Sequence, residues 1–319
     1  MSETAPRAAG SHGGWKKLLV SGDKSDVQFA VGRQRGEVRI FSAHKLLLSV
    51  HSDVFERMLY GDLRENTAQP IDIPEILPST FASMLSFVYT GTVEAVEGLP
   101  EPCSLSGVDS VFEVLYCADK YNLPRLTELA LRTVFRQINQ QNCLDYLDNA
   151  QRWPLESCTR IADDCLDCLN ICSDTVLPSQ RFCGVSRETL LCILQSRLLQ
   201  ADENAIYTAV KRWAEAACLR DGLDPSPSNL REMLGPALFH IRFPLMTDAQ
   251  LADGPVKSGL LLDSEVVALY QYKHAAVRPP LPFPVESRGR RKRGPPAESP
   301  GGGAPLRVPK IRLIDPAVL

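Results

Sequence analysis

The sequence predicts a small α+β domain, then an all-α domain, then a disordered C-terminal tail. We place a flexible N-terminus at residues 1–21, the α+β domain at 22–138, the all-α domain at 139–275 and the tail at 276–319. Strand-like alternation of polar and apolar residues occurs only near the start of the chain, and helical spacing dominates after it. Ten of the 24 prolines lie in the tail. A chain of 319 residues is long enough for roughly two domains.

The α+β domain begins with a predicted β-hairpin. Polar and apolar residues alternate over 26–31 and again over 37–41, and glycines between the two segments favour a turn. Ser42 is a predicted cap for a helix over 44–50, which contains three consecutive leucines. Ser52 is the predicted cap of a second short helix.

A third short strand and three helices complete this domain. Residues 71–73 read as a strand that a proline ends, and Ser79 begins a helix with apolar residues at helical spacing. Two more helices are predicted over about 108–121 and 123–138. The first 21 residues are rich in Gly, Ala and Ser, a composition that favours a mobile segment.

The second domain is predicted to contain helices only. Candidate helices cover 140–152, 155–172, 186–199, 202–219, 227–238 and 263–274. The clearest is 202–219, where Ile206, Val210 and Trp213 mark one apolar stripe. A succession of short helices indicates stacked helical hairpins.

The charge balance separates the folded part from the tail. From Glu286 onward the chain holds eight basic and three acidic residues, which leaves 27 basic and 35 acidic residues, a charge of −8, in the rest. Binding to nucleic acid needs clustered Lys and Arg on a folded surface. We therefore expect no nucleic-acid partner for the folded domains.

The sequence offers no signal for export or for a membrane. The longest apolar run near the start is three residues, 18–20, against about 7–15 in a secretion signal. No stretch approaches the roughly 18 apolar residues of a membrane span. We expect a cytoplasmic protein, also nuclear if the tail is imported, with no membrane partner and with reduced cysteines.

The motifs of common enzyme classes are missing from the sequence. There is no glycine-rich phosphate loop, no dinucleotide fingerprint, no nucleophile elbow and no His-Glu-x-x-His, and the five histidines are scattered. We expect no enzymatic activity, no catalytic residues and no cofactor.

Four cysteines superficially resemble a zinc site: Cys158, Cys165, Cys168 and Cys172. On a helix their offsets place all four thiols along one stripe. That stripe extends over about 21 Å at 1.5 Å per residue, which is too long for one tetrahedral ion. We interpret it as a core-facing stripe and expect no metal; a redox- or zinc-sensing helical protein is the remote alternative.

A basic run lies in the tail, formed by Arg288, Arg290, Arg291, Lys292 and Arg293. Such runs serve as nuclear-import signals or contact nucleic acid. The alternative is a solvated linker that keeps the tail extended.

Several segments along the chain together resemble a known family. The first domain contains, in order, Ser25-Asp-Val-Gln-Phe29, Phe41-Ser-Ala-His-Lys-Leu-Leu-Leu48, Val54-Phe-Glu-Arg-Met-Leu59, Ile71-Asp-Ile-Pro74, Phe87-Val-Tyr-Thr-Gly91 and Ala118-Asp-Lys-Tyr121. This order and spacing resembles the BTB (POZ) fold. Asn142-Cys-Leu144 resembles the opening of the three-box and BACK helices, and Arg181-Phe182, Val210-x-x-Trp213 and Ile241-Arg-Phe-Pro-Leu245 fit later BACK positions. The resemblance covers about residues 22–275.

In detail the chain looks most like BTB-domain proteins that carry a C-terminal PHR β-sandwich. The proline-rich tail stands where that sandwich would begin. We therefore expect the usual partner-recognition domain of that group to be absent.

The resemblance also implies partners and contact residues. BTB–BACK proteins commonly recruit cullin-3, and Leu63-Arg64-Glu65 matches the hydrophobic-x-Glu signature of that contact. An exposed apolar anchor with a neighbouring carboxylate suits such an interface, whereas the alternative is that Leu63 only closes its own loop. Met58, Tyr121 and Asn122 are implied to border the same surface.

BTB domains of this kind form homodimers, and Asp26 and Lys45 match the family's paired charges near the dimer interface. A surface ion pair of little energetic value is the alternative for these two residues. The function implied is a dimeric adaptor that brings an unknown target protein to a cullin-3 RING ubiquitin ligase. The competing hypotheses are a non-ligase scaffold, transcriptional or cytoskeletal, and a competitor that heterodimerises with longer relatives.

Overall fold

A computed structural model of the chain describes residues 12–62, 65, 68–93, 105, 107–197 and 199–288. Within these residues, the first domain shows a three-stranded sheet and six α-helices. These elements are α1 (His12–Ser21), β1 (Val27–Val31), β2 (Arg39–Ala43), α2 (Lys45–His51), α3 (Asp53–Tyr60), β3 (Ile71–Ile73), α4 (Pro78–Thr90), α5 (Val108–Lys120) and α6 (Pro124–Gln137). The α+β class predicted for this part of the chain is confirmed.

The sheet has the order β2-β1-β3, so β1 lies in the centre. β1 and β2 form the predicted antiparallel hairpin, with Phe29 opposite Phe41, and β1 and β3 run parallel, with Phe29 beside Ile71. The hairpin connection needs glycine at Gly32, where φ is 101° and an added Cβ would lie 2.5 Å from the carbonyl oxygen of Glu37.

The inner side of this sheet holds a cluster of aromatic rings. Phe29 lies with its ring centroid 5.3 Å from that of Phe81 and 5.9 Å from that of Phe55. Phe55 in turn stacks on Tyr121 at 4.3 Å with nearly parallel planes. All four side chains are fully buried, so they tie the sheet to α3, to α4 and to the end of α5.

Part of the predicted flexible N-terminus is a helix. α1 covers the second half of residues 1–21 and packs against α4, with Leu19 buried. From the sequence, the short apolar run at 18–20 was considered only as a possible secretion or membrane signal. Leu19 of this run is sufficient to anchor one helix on the core, which is why the prediction was wrong for this half. Residues 1–11 lie outside the described residues.

The second domain is a succession of helices, as predicted, and no strand follows β3 in the described part of the chain. Its helices are α7 (Cys143–Arg152), α8 (Glu156–Ile171), α9 (Ser173–Val176), α10 (Arg187–Gln195), α11 (Glu203–Arg220), α12 (Pro227–Leu234), α13 (Asp248–Leu251) and α14 (Asp263–His274). Short 3-10 turns lie at 182–184, 235–240 and 243–245, and one π-helical turn lies at 252–256.

Helix α11 lies in the core of the second domain. The stripe predicted from Ile206, Val210 and Trp213 is buried. The indole nitrogen of Trp213 donates a hydrogen bond of 2.9 Å to the carbonyl oxygen of Val185, so the polar atom of this ring is satisfied inside the core.

The two domains share one apolar core. Helix α7 packs against α5, and α8 packs against α6. Buried apolar residues therefore continue without a break from the sheet to α14, and the described residues form one compact unit.

The tail begins later than the predicted boundary at residue 275. Phe283 is buried, 4.9 Å from Phe243 and 5.8 Å from Phe239 between ring centroids. Residues 276–288 therefore belong to the second domain because they pack against its 3-10 turns, a long-range contact that proline content does not reveal. The rest of the predicted tail, 289–319, lies outside the described residues. Among the helices that the structure describes, none has the length and apolar character needed to span a bilayer.

Candidate functional site

The first candidate surface is apolar and lies on β2 and α2. Ile40, Leu46 and Val50 are exposed by 56%, 66% and 73%. On α1, Trp15 and Val20 are also about half exposed. We call these five residues the apolar face. Large exposed apolar side chains are typical of protein interfaces where they form a contiguous patch.

Asp26 and Lys45, the predicted dimer charges, meet beside this face in an unexpected way. Oδ1 of Asp26 accepts a hydrogen bond of 2.8 Å from the backbone nitrogen of Lys45. Asp26 is exposed and Lys45 partly exposed, so within one protomer the two do not form a buried ion pair. The Asp26 carboxylate accepts a hydrogen bond from an N–H in the first turn of α2. The partial positive charge at this end of the helix stabilises the carboxylate. Their role in a dimer stays a prediction.

The second candidate surface is centred on α3. It consists of Asp53, Met58, Tyr60, Glu65 and Asn122, and we call it the α3 surface. Tyr60 and Glu65 are exposed, Met58 is partly buried against the core, and Asn122 is exposed in the turn between α5 and α6. Four residues of this surface come from α3 and the loop after it, whereas Asn122 comes from a distant part of the chain.

Ser52 fixes the start of α3, as the sequence predicts. Its hydroxyl accepts a hydrogen bond of 3.0 Å from the backbone nitrogen of Phe55 and donates one of 2.5 Å to the carbonyl oxygen of Tyr121. The N-cap of α3 is therefore tied directly to the end of α5. Because Ser52 is buried, water cannot replace either bond.

A second contact joins the same two segments at the surface. The amide nitrogen of Asn122 donates a hydrogen bond of 2.8 Å to Oδ1 of Asp53, and Arg57 pairs with the other carboxylate oxygen at 2.5 Å. The bond from Asn122, and after it the one from Arg57, lowers the pKa of the Asp53 carboxyl below its ordinary value. Asn122 has φ of 47°, a left-handed conformation that asparagine tolerates better than most residues.

The loop after α3 folds back onto the helix. The backbone nitrogen of Glu65 donates a hydrogen bond of 2.9 Å to the carbonyl oxygen of Met58. This bond holds Glu65 near the last turn of α3 with its side chain exposed. Leu63 and Arg64, the first two residues of the predicted cullin signature, lie outside the described residues.

Tyr121 does not border this surface, contrary to what the resemblance implied. Its side chain is fully buried and stacked on Phe55. Burial raises the pKa of its phenol, whose oxygen has no hydrogen-bond partner among the described residues. A buried ring cannot touch a partner protein, so Tyr121 supports α3 from inside and its neighbour Asn122 reaches the surface.

The basic run is divided by the structure. Arg288 is buried, with only 5% of its side chain exposed, and pairs with Glu203 at 2.8 Å. It is therefore not accessible as part of an import signal. Arg290, Arg291, Lys292 and Arg293 lie outside the described residues.

The cysteine stripe faces the core, in agreement with the single-stripe interpretation. Cys158 and Cys165 are buried and Cys168 and Cys172 are partly buried. Burial raises the pKa of Cys165 well above its ordinary value. Within the described residues, no group of three or more His, Cys, Asp or Glu side chains could hold a metal ion.

The sequence analysis missed the apolar face. Residues 46–48 are three consecutive leucines, and a helix at the edge of a domain can bury only one side. Leu48 is buried and Leu46 is exposed. The run of leucines could have revealed this surface, because at least one leucine of such a run must be exposed.

Comparison with known proteins agrees with this architecture. The BTB/POZ domain family matches residues 15–138, and the BACK family (BTB And C-terminal Kelch) matches residues 143–254. BTB/POZ domain-containing protein 6 is 31% identical in Homo sapiens and 32% identical in Mus musculus, each over 264 residues. BTB/POZ domain-containing protein 3 of Homo sapiens is 31% identical over 264 residues.

These alignments cover 83% of this chain but only 46% to 48% of the three relatives. The chain thus spans about half the length of the curated relatives it matches.

Proposed function

The chain belongs to the family in which a BTB/POZ domain is followed by a BACK domain, and we propose that it is a dimeric adaptor that brings a target protein to a cullin-3 ubiquitin ligase. The observation that carries the proposal is the α3 surface on the BTB domain. There an exposed tyrosine, Tyr60, ends a helix that is anchored at its buried start, and an exposed carboxylate, Glu65, lies in the loop that folds back onto this helix.

The α3 surface has the properties of a preformed binding site. Its backbone is held at three points, by Ser52 at the N-cap, by Asn122 on Asp53 and by Glu65 on Met58. A partner therefore meets a backbone that is already restrained, so little backbone conformational entropy is lost on binding. Aromatic residues such as Tyr60 are common anchors at the centre of interfaces.

We further propose that the apolar face is the dimer contact. The side chains of Ile40, Leu46 and Val50 are costly to leave in water, and a second copy would cover them. Dimerisation would double the number of target and ligase contacts in one particle and so raise the effective concentration of each partner. The cytoplasm is the proposed location.

The first experiment is a calorimetric titration of the purified full chain with the N-terminal domain of cullin-3. We expect saturable binding for the wild type and loss of binding for Leu63→Ala/Glu65→Ala. Glu156→Ala removes an exposed carboxylate from the BACK domain and is the matched control, which should bind as the wild type does. A folded wild type that gives no heat and no complex would refute the ligase adaptor and leave the non-ligase scaffold.

The dimer is tested separately by light scattering. Leu46→Glu/Val50→Glu places two charges on the apolar face and should yield monomers. Val267→Glu changes an equally exposed apolar residue on α14 and should leave the dimer intact. A dimer that survives Leu46→Glu/Val50→Glu would contradict the proposal that the apolar face is the dimer contact.

Mixing the chain with a longer relative then tests the competitor hypothesis, because a competitor must form heterodimers.

A further inference from the structure

The BACK domain contains a buried group of two arginines and one glutamate. Nε of Arg288 lies 2.8 Å from Oε1 of Glu203, and Nη1 of Arg242 lies 3.7 Å from the same oxygen. The backbone nitrogen of Arg242 donates to the other Glu203 oxygen at 3.2 Å. All three side chains are more than nine-tenths buried. The group therefore carries one excess positive charge away from water.

Backbone carbonyls satisfy only part of the two guanidinium groups. Nη1 of Arg288 donates to the carbonyl oxygens of Leu194 and Ser196, and Nε of Arg242 donates to that of Glu286. Nη2 of Arg288 and Nη1 of Arg242 are buried without a hydrogen-bond partner among the described residues. Burying cationic donors without hydrogen bonds is strongly unfavourable unless an anion compensates them.

Arg242 also lines a cleft beside this group. The cleft has a volume of about 720 Å³, and its polar rim includes Arg197, which is exposed, and His240. Burial, and after it the charges of Arg242 and Arg288, lowers the pKa of His240 below its ordinary value. Arg197 and Arg242 bring positive charge to the lining of the cleft. Glu286 contributes an exposed carboxylate at the edge.

The rest of the lining is mostly apolar, with Gln195 as a polar member. It is formed by Leu194, by Tyr272 of α14, by the buried Phe283 and by five further apolar or proline residues of the segment 279–285. The cleft therefore combines a cationic floor with an apolar wall, which is typical of sites that fix a ligand by one charged group and bury the rest of it.

We propose that this cleft binds a peptide carboxylate that has an aromatic or aliphatic group next to it. Arg242 and Arg197 are the residues that receive the carboxylate, and the 279–285 segment with Tyr272 receives the apolar group. One carboxylate would neutralise the excess charge of the buried group, and the apolar wall favours an organic acid over inorganic phosphate. The inference does not rest on the adaptor function, since it concerns binding by the purified chain alone.

The test uses 3-phenylpropionate as the probe and 3-phenylpropanamide as its neutral match. The melting temperature of the full chain, read from tryptophan fluorescence, is measured against probe concentration at constant ionic strength. A ligand that binds only the folded state raises the melting temperature progressively with concentration. We expect a saturable rise with the carboxylate and none with the amide. Equal behaviour of the two compounds would overturn the proposal.

Two arginine variants and one control locate the effect. Arg242→Gln should weaken the apparent affinity by roughly 10-fold or more, the usual loss for a hydrogen bond to a charged group. Because Arg242 is buried and this variant can fail to fold, Arg197→Gln, at an exposed position, keeps the test decisive and should weaken binding several-fold. Lys257→Gln removes an exposed charge elsewhere and should change nothing. An unchanged response in Arg197→Gln would overturn the site.

Two further arms identify the source of the anion. If inorganic phosphate stabilises the chain more than 3-phenylpropionate does, through the same arginines, the carboxylate assignment is wrong. Glu298→Gln/Asp315→Asn removes the side-chain carboxylates of the predicted tail beyond Arg288. If the probe binds more tightly to that variant, the chain's own carboxylates compete with it and are the natural occupants of the site. If the affinity is unchanged, the natural occupant is a separate peptide.

Discussion

Replacing Ser52 with alanine removes two hydrogen bonds from the base of the α3 surface. The first is the N-cap bond to Phe55, whose loss usually costs about 1 kcal/mol. The second is the bond to the carbonyl oxygen of Tyr121, a buried residue, and leaving such a group without its partner costs about 1–3 kcal/mol. We therefore expect Ser52→Ala to lower the free energy of unfolding by about 2–4 kcal/mol.

The assay is urea unfolding followed by circular dichroism, with all variants at one protein concentration because association adds to apparent stability. Ser226→Ala is the matched control. Ser226 also caps a helix, α12, but it is only partly buried, and its hydroxyl contacts only near neighbours in the described part of the chain. Removing it should therefore lower the free energy of unfolding by about 1 kcal/mol. Equal destabilisation by the two substitutions would refute the argument that Ser52 ties α3 to α5.

Three other predictions concern the surface, the thiols and the C-terminal boundary. Asn122→Gly keeps the left-handed backbone but removes the amide, so the pKa of Asp53 should rise, measured by NMR titration. A carboxyl whose pKa is lowered in the folded state stabilises the fold at pH values above its pKa in the unfolded chain. This contribution disappears as the pH falls through the pKa of the folded state. The free energy of unfolding of the variant should therefore change less with pH in the acid range. An unchanged pKa would contradict the role of the amide. Burial raises the pKa of Cys143 to about 12, so iodoacetamide at pH 8 should label it only after unfolding, as mass spectrometry would report. A chain ending at residue 275 should melt below one ending at 288, because it loses the buried ring of Phe283; equal melting temperatures would refute this.

Local sequence patterns were sufficient for most elements of the fold. The hairpin, the Ser52 cap and the stripe of α11 depend on periods of two or 3.6 residues and on one capping side chain, all of which are visible within a short window. The order of the two domains followed from the point where strand-like alternation ends. The α+β and all-α classes could thus be predicted without knowledge of any contact.

The features that were missed depend on distant partners. Phe283 is buried by Phe243 and Arg288 pairs with Glu203, 85 positions earlier in the chain. Nothing in the composition of a proline-rich segment reveals such partners, so the boundary of the tail was placed too early. Tyr121 was misplaced for a similar reason, since its stacking on Phe55 depends on how α3 meets α5.

The shared core has a consequence for how an adaptor of this kind would work. Helices α7 and α8 pack on α5 and α6, so the BACK domain is not joined to the BTB domain by a flexible linker. The α3 surface and the cleft beside Arg242 therefore belong to one compact unit. A target held in that cleft would stand at a nearly fixed position relative to a ligase held at α3. No conformational entropy of a linker would be lost on bringing the two together. Substitutions that loosen the contact between α5 and α7 should then impair transfer to the target while each partner still binds alone.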